Sequence, residues 1–113
     1  MFVLYGIPNC TSCKKARAWL EERNIIHRFH DFRKDGLDAA WLTNLETSVG
    51  WESLLNRRGT TWRRLSETER SDLTQEKSLH LMLTYPLLIK RPVLMTGDKI
   101  LIGFFPESYS REL

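Results

Sequence analysis

The sequence predicts an α/β fold: a β-α-β unit, a helical insert, a β-hairpin and a terminal helix. Three observations carry that expectation. A short apolar run, Phe2-Val3-Leu4-Tyr5-Gly6, leads through a turn into a helical pattern from Lys14 to Glu22, with the only two cysteines of the chain, Cys10 and Cys13, at the junction. From Leu37 to Tyr85 the apolar residues recur mostly at helical spacing. Two later runs, Arg91 to Met95 and Ile100 to Phe104, flank the turn residues Thr96-Gly97-Asp98-Lys99.

Taken in order, Phe2 to Gly6 is the first strand. Pro8 and Asn9 make the turn, with Asn9 as the expected N-cap of the helix that follows. Ala16, Trp19, Leu20 and Arg23 mark the inward face of that helix and its edge, and the helix stops near Asn24. Residues 25–32 make a second strand, closed by Asp35-Gly36. In the middle, Trp41, Leu42 and Leu45 lie on one helix, broken at Gly50-Trp51, and Leu54-Leu55 opens a short piece. Ser66 with Glu69 three residues on is a capping box that starts another helix. Leu79, Leu81, Met82, Leu83 and Tyr85 give the apolar side of the last middle helix, stopped by Pro86, and His80 is expected to be partly buried there. Pro106 suits the first position of a terminal helix. The first two strands should be parallel through a right-handed crossover and the last two antiparallel. This is a thioredoxin-like order with an enlarged centre. It predicts one domain over 1–113, with 1–35 and 86–113 as the core and 36–85 as the helical insert.

Composition narrows the class. Charged residues at 27% and hydrophobic residues at 42% describe an ordinary soluble protein. No basic stretch followed by a long apolar one opens the chain, and no apolar run reaches the roughly 18–20 residues that span a bilayer. The expectation is a cytoplasmic protein with no membrane partner. A net charge of +3 favours small anionic substrates or an acidic partner surface. Arg57, Arg58, Arg63 and Arg64 lie near Trp51 and Trp62, a pattern that can hold single-stranded nucleic acid. The commoner meaning is a solvated face beside core tryptophans, and nucleic acid is not expected as a partner.

Cys10-Thr11-Ser12-Cys13 at a strand-to-helix junction is the site of chemistry. The first turn of a helix carries N–H groups without intrahelical partners and the positive end of the macrodipole. A thiolate there accepts those N–H bonds, and its pKa falls into the range of about 3.5–7.5. Cys10 is the expected nucleophile. Ser12 lacks a base in the motif and is expected to hydrogen-bond the Cys10 thiolate; Lys14 adds positive potential. A disulfide between residues three apart closes too small a loop to stabilise a fold much. A zinc site using His27 and His30 has a short second gap and places its histidines on a strand, so no metal is expected.

Two segments resemble the ArsC-like family, which includes arsenate reductases, Spx regulators and YffB-type reductases. One is Gly6-Ile7-Pro8-Asn9-Cys10-Thr11-Ser12-Cys13-Lys14-Lys15-Ala16; the other is Pro86-Leu87-Leu88-Ile89-Lys90-Arg91-Pro92-Val93-Leu94. Gly103-Phe104-Phe105-Pro106-Glu107 is similar to the YffB branch. The resemblance implies Cys10 as nucleophile, Cys13 as a resolving thiol, and Arg91 with a cis-Pro92 facing Cys10. It implies a glutathione-dependent thiol reductase, with glutathione as co-substrate and glutaredoxin as a candidate partner. Asn9, Thr11, Ser12, Lys14, Arg91 and Pro92 would line the substrate site. The chain departs from the arsenate reductases at two anion-binding positions, where Asn56 and Phe105 replace arginines, so arsenate is not the expected substrate. The Spx resemblance, over Thr11 to Glu22, implies the alternative of a redox-sensing regulator that binds an RNA polymerase α subunit.

Overall fold

The computed structural model describes residues 1–113. Two compact units emerge, one built from 1–36 with 91–113 and the other from 37–90.

The first unit holds a four-stranded sheet of order β2-β1-β3-β4. Its strands are β1 (Phe2–Gly6), β2 (His27–Asp31), β3 (Val93–Met95) and β4 (Ile100–Ile102). β1 pairs parallel to β2 and antiparallel to β3; β3 pairs antiparallel to β4. Helix α1 (Thr11–Glu22) makes the β1-to-β2 crossover. It ends where Asn24 takes a left-handed φ of 55°, near the expected stop. β2 is shorter than the sequence suggests. The Ile25 N–H bonds back to the Leu20 carbonyl at 3.0 Å, so residues 25 and 26 still belong to the turn, and Ile26 is 82% exposed.

The core of this unit is Leu4, Ala16, Trp19, Leu20, Leu94 and Tyr109, with Phe2, Ile25, Phe29, Leu101 and Phe104 packed around it. Trp19 and Phe104 both meet the Tyr109 ring edge-on, at centroid distances of 5.3 and 4.9 Å. Tyr109 is carried by a terminal helix (Pro106–Glu112), which starts at Pro106 as expected.

The second unit is helical: α2 (Ala39–Val49), α3 (Trp51–Leu54), α4 (Thr60–Arg64), α5 (Glu67–Arg70) and α6 (Gln75–Thr84), making the terminal helix α7. Asp38 caps α2 by accepting from the Trp41 N–H at 3.3 Å. The capping box at Ser66 and Glu69 forms with both of its bonds, at 3.1 and 2.9 Å. The inward face of α6 is Ser78, Leu81 and Met82, whereas Leu83, Tyr85 and His80 are exposed. Position 80 lies about 200° around the helix from position 78, so His80 cannot share that face. Residues 86–90, placed with the core by sequence, join this unit instead. A bridge pairs Leu55 with Ile89, flanked by Asn56 N–H to Leu88 O at 2.7 Å and Lys90 N–H to Leu54 O at 2.8 Å. No helix is long and apolar enough to cross a membrane.

Candidate active site

β1 delivers the chain to Cys10, and β3 begins just after Arg91-Pro92. Tyr5 is paired with Val93 across the sheet. That register brings the loop beyond Gly6 and the residues before Val93 to the same end of two neighbouring strands. Cys10 and Arg91, about eighty residues apart in sequence, meet there. The Arg91–Pro92 peptide is cis, as the resemblance implies.

Cys10 is itself the N-cap of α1. Its backbone is extended (φ −144°, ψ 122°), and its carbonyl accepts the Lys14 N–H at 2.9 Å. Asn9, the expected cap, lies one residue earlier in the exposed turn. The correction matters chemically, because it places the sulfur where a capping oxygen would stand. The Cys10 side chain makes no capping hydrogen bond of ordinary geometry. Burial alone would raise its pKa, but the Cys13 backbone N–H, the Cys13 thiol and the Arg91 guanidinium together lower it below the ordinary thiol value. No acidic residue occupies the first turn of α1 to compete with the thiolate.

Cys13 is the opposite kind of thiol. Its side chain is fully buried, and burial pushes its pKa up to about 12, with the Ile7 backbone N–H lowering it and Cys10 raising it further. Both cysteines are free thiols. Gly6 allows this placement: a Cβ there would stand 2.5 Å from Cys13 Sγ, closer than atoms can approach. Thr11, Ser12 and Lys14 lie exposed on the first turn of α1, and the groups that shift Cys10 are Cys13 and Arg91. Pro92 is buried beside the half-buried Arg91. Asn56 belongs to the helical unit, where its Oδ1 accepts the Arg58 N–H at 3.0 Å.

Three participants were not singled out from sequence. Gly6 ends a strand immediately before the motif, and a strand glycine at such a place signals close approach of another group. The Ile7 N–H is backbone and leaves no sequence signal. Tyr109 lies in the interior of the same unit, with a buried hydroxyl that has no hydrogen-bond partner; burial raises its pKa and the Cys13 charge raises it further.

The ArsC family model matches residues 5–111. A solved YffB protein superposes with a TM-score of 0.94 at 44% identity, covering 98% of this chain and 97% of its own. An arsenate reductase (ArsC) related protein from Brucella melitensis is 46% identical with a TM-score of 0.80, covering 97% and 92%. The global transcriptional regulator Spx of Streptococcus mutans is 29% identical over 106 residues, which span 92% of this chain and 77% of that protein. A glutaredoxin from Archaeoglobus fulgidus, at 14% identity and a TM-score of 0.53 over 97% and 82% of the two chains, shares the thioredoxin-like fold.

Proposed function

The chain belongs to the ArsC family, and from that premise we propose that it is a glutathione-dependent thiol–disulfide reductase acting through Cys10. The observation that carries this reading is the contrast between the two thiols: Cys10 poised toward the anion at a helix N-terminus, Cys13 buried and protonated one turn on. Attack needs a thiolate, so the two have separate roles.

Cys10 Sγ attacks one sulfur of a disulfide. A new Sγ–S bond forms, the substrate S–S bond breaks, and the electron pair leaves with the departing thiolate. Cys13 then gives up its proton to the second leaving sulfur and attacks Cys10 Sγ as the thiolate; the Cys10–substrate S–S bond breaks, and a Cys10–Cys13 disulfide remains. Two glutathione molecules restore both thiols and leave as glutathione disulfide. In a single-thiol variant of the cycle, glutathione replaces Cys13 in the second step. Arg91 supports glutathione binding because its guanidinium fork matches a carboxylate bidentately. The exposed first turn, Thr11, Ser12 and Lys14, together with Asn9 and the backbone at Pro92, makes up the remaining binding surface of this proposal.

Titration with glutathione while following backbone amide NMR shifts tests the reading. Shifts should cluster at residues 8–14 and 90–93. Loss of one charge-assisted contact costs about 1–3 kcal/mol, so Arg91→Ala should weaken glutathione roughly five- to 150-fold, with Arg91→Lys recovering part. Equal affinity in wild type and a folded Arg91→Ala would remove Arg91 from the site.

A second reading, a redox-sensing regulator, is favoured by the relatives named as global transcriptional regulators. Capture of an RNA polymerase α subunit that depends on the oxidation state of Cys10 and Cys13, without shifts on adding glutathione, would favour it over the enzyme.

A further inference from the structure

The helical unit carries a concentration of positive charge that no carboxylate neutralises. Residues 56–64 contain four arginines, Arg57, Arg58, Arg63 and Arg64, and no acid. The whole chain is only +3, so the remaining residues together carry no net positive charge. All four arginines are exposed. The ion pairs of the protein, Arg23 with Glu22, Lys99 with Glu112 and Arg111 with Glu112, lie in the other unit. No carboxylate oxygen stands within 4.0 Å of a guanidinium in the patch. Soluble surfaces ordinarily intersperse the two signs of charge, so a run of one sign calls for a partner.

The loop that bears this charge is held in place. The Asn56 N–H donates to the Leu88 carbonyl at 2.7 Å, and Asn56 Oδ1 accepts the Arg58 N–H at 3.0 Å. The Arg63 guanidinium turns back along the chain, donating to the Arg58 carbonyl at 2.7 Å and to the Thr60 hydroxyl at 3.4 Å. Arg57 brings two indoles together: its guanidinium carbon lies 5.8 Å from the ring centres of both Trp51, on α3, and Trp62, on α4. The sequence reading of a solvated face beside core tryptophans does not hold here, because both indoles are half-buried and neither belongs to the buried core. Elsewhere in the chain an arginine closes over its ring, Arg23 at 3.9 Å from Trp19 and Arg17 at 4.4 Å from Phe29. Arg57 stands well outside the ~3.5–4.0 Å of close carbon contact, so it seals neither indole.

Unpaired guanidiniums beside unsealed aromatic rings fit a ligand that repeats an anion and a flat ring. An acidic polypeptide would satisfy the guanidiniums and leave the indoles unused. A duplex would supply phosphates but keep its base faces stacked on one another. We propose that this patch binds single-stranded nucleic acid, with phosphates on Arg57, Arg58 and Arg64 and a base against Trp51 or Trp62. Arg63 holds the loop through its bonds to Arg58 and Thr60. Phosphate contacts and stacking carry no base code, so the binding is salt-dependent and tolerant of sequence. All of these residues lie in the unit of residues 37–90, and the binding is independent of the reading of Cys10 as a nucleophile.

Fluorescence anisotropy with labelled oligo(dT) and oligo(U), each about twelve nucleotides long, tests this on the full chain, and the two probes separate DNA from RNA as the source of the strand. The slope of log K against log salt should be about −2, from about 0.7 for each of the phosphates neutralised. Arg58→Ala/Arg64→Ala, at exposed positions without ion pairs, should flatten that slope by about 1.4. Stacking on one ring corresponds to roughly five- to 150-fold in affinity, so Trp62→Ala should lose that factor and Trp62→Phe should recover most of it. Bound oligonucleotide should also quench tryptophan emission, and polyglutamate should not. Circular dichroism verifies the fold of each variant; the arginine pair and Trp62→Phe carry the test even where Trp62→Ala unfolds. Failure of both oligonucleotides to bind at low salt overturns the proposal, as does an equal slope in wild type and Arg58→Ala/Arg64→Ala. Polyglutamate that binds as tightly as the oligonucleotides at equal charge overturns it in favour of an acidic polypeptide.

Discussion

Cys13→Ala should raise the pKa of Cys10. Three groups hold Cys10 low against the effect of burial: the backbone N–H of residue 13, the Cys13 thiol and Arg91. The substitution removes only the second of these. A hydrogen bond to a charged group contributes about 1.5–3 kcal/mol, and a thiol is a weak donor, which places this one at the lower end. One pKa unit corresponds to about 1.36 kcal/mol of difference between the two protonation states. No relief of charge offsets the loss, because Cys13, pushed up to about 12, is neutral wherever Cys10 titrates. The change can be read from ultraviolet thiolate absorbance against pH, together with the pH profile of alkylation by iodoacetamide. Wild type should show two well-separated steps, and Cys10→Ser should lose the lower one and keep the upper one at a reduced pH, because burial still raises Cys13 but the contribution of Cys10 is gone. A Cys13→Ala curve that coincides with the first wild-type step would refute the donor role of Cys13. A curve shifted downward would mean that Cys13 repels the thiolate rather than stabilising it.

Three further outcomes follow from the same geometry. Gly6→Ala places a Cβ 2.5 Å from Cys13 Sγ, inside the 3.4 Å at which ordinary contact begins, so the thiol must move away from Cys10. Cys10 alkylation at neutral pH should slow, and an unchanged profile would show that the sulfur relaxes without leaving its partner. Tyr109→Phe removes a buried hydroxyl that has no hydrogen-bond partner while keeping both edge-on ring contacts, so its urea midpoint should match or exceed that of wild type; a loss above about 1 kcal/mol would reveal a bond made by that hydroxyl. Stability should fall with rising pH between the ordinary thiol value and about 12, because there the unfolded chain releases the Cys13 proton and the folded protein keeps it. Cys10 has the opposite sign: its depressed pKa adds stability that is complete above the unfolded value and lost as pH falls through the folded one. Urea midpoints of Cys13→Ala should therefore fall less steeply on the alkaline side than those of wild type, the remaining decline belonging to the buried Tyr109 hydroxyl, whose pKa is also raised; an equal decline in wild type and variant would remove Cys13 as a source.

The strand–helix order was legible because each signal was local. Apolar runs gave β1, β3 and β4, Ala16 and Leu20 gave the inward face of α1, and Ser66 with Glu69 gave the start of α5. Cys10 was legible for the same reason, since a helix N-terminus acts on whatever residue stands there. The misplacements arose where non-local pairing decides. Residues 86–90 read as part of the core because Pro86 ends a helix, yet Ile89 pairs with Leu55 and draws the segment into the helical unit. Leu83 and Tyr85 look like core residues by hydropathy, but the buried stripe of α6 is set by Ser78, Leu81 and Met82. A buried serine in that stripe gives no apolar signal to count.

The spacing of the two cysteines has the same physical origin as the Ser66–Glu69 pair elsewhere in this chain. In α5 the N-cap oxygen of Ser66 accepts the N–H of residue 69 at 3.1 Å, and the Glu69 side chain reaches back to the N–H of residue 66 at 2.9 Å. Cys10 and Cys13 hold the corresponding positions of α1, N-cap and third helical residue. The Cys13 N–H faces the Cys10 sulfur, and the Cys13 side chain turns back toward it. A capping oxygen is satisfied in its ordinary protonation state. A capping sulfur gains most as the anion, because a thiol accepts hydrogen bonds weakly and a thiolate strongly. The geometry that elsewhere starts a helix here favours the anion of the capping residue. A shorter or longer spacing would break the reciprocity: the N–H and the thiol that lower the Cys10 pKa would then come from different residues, and one of the two would lose its contact with Cys10.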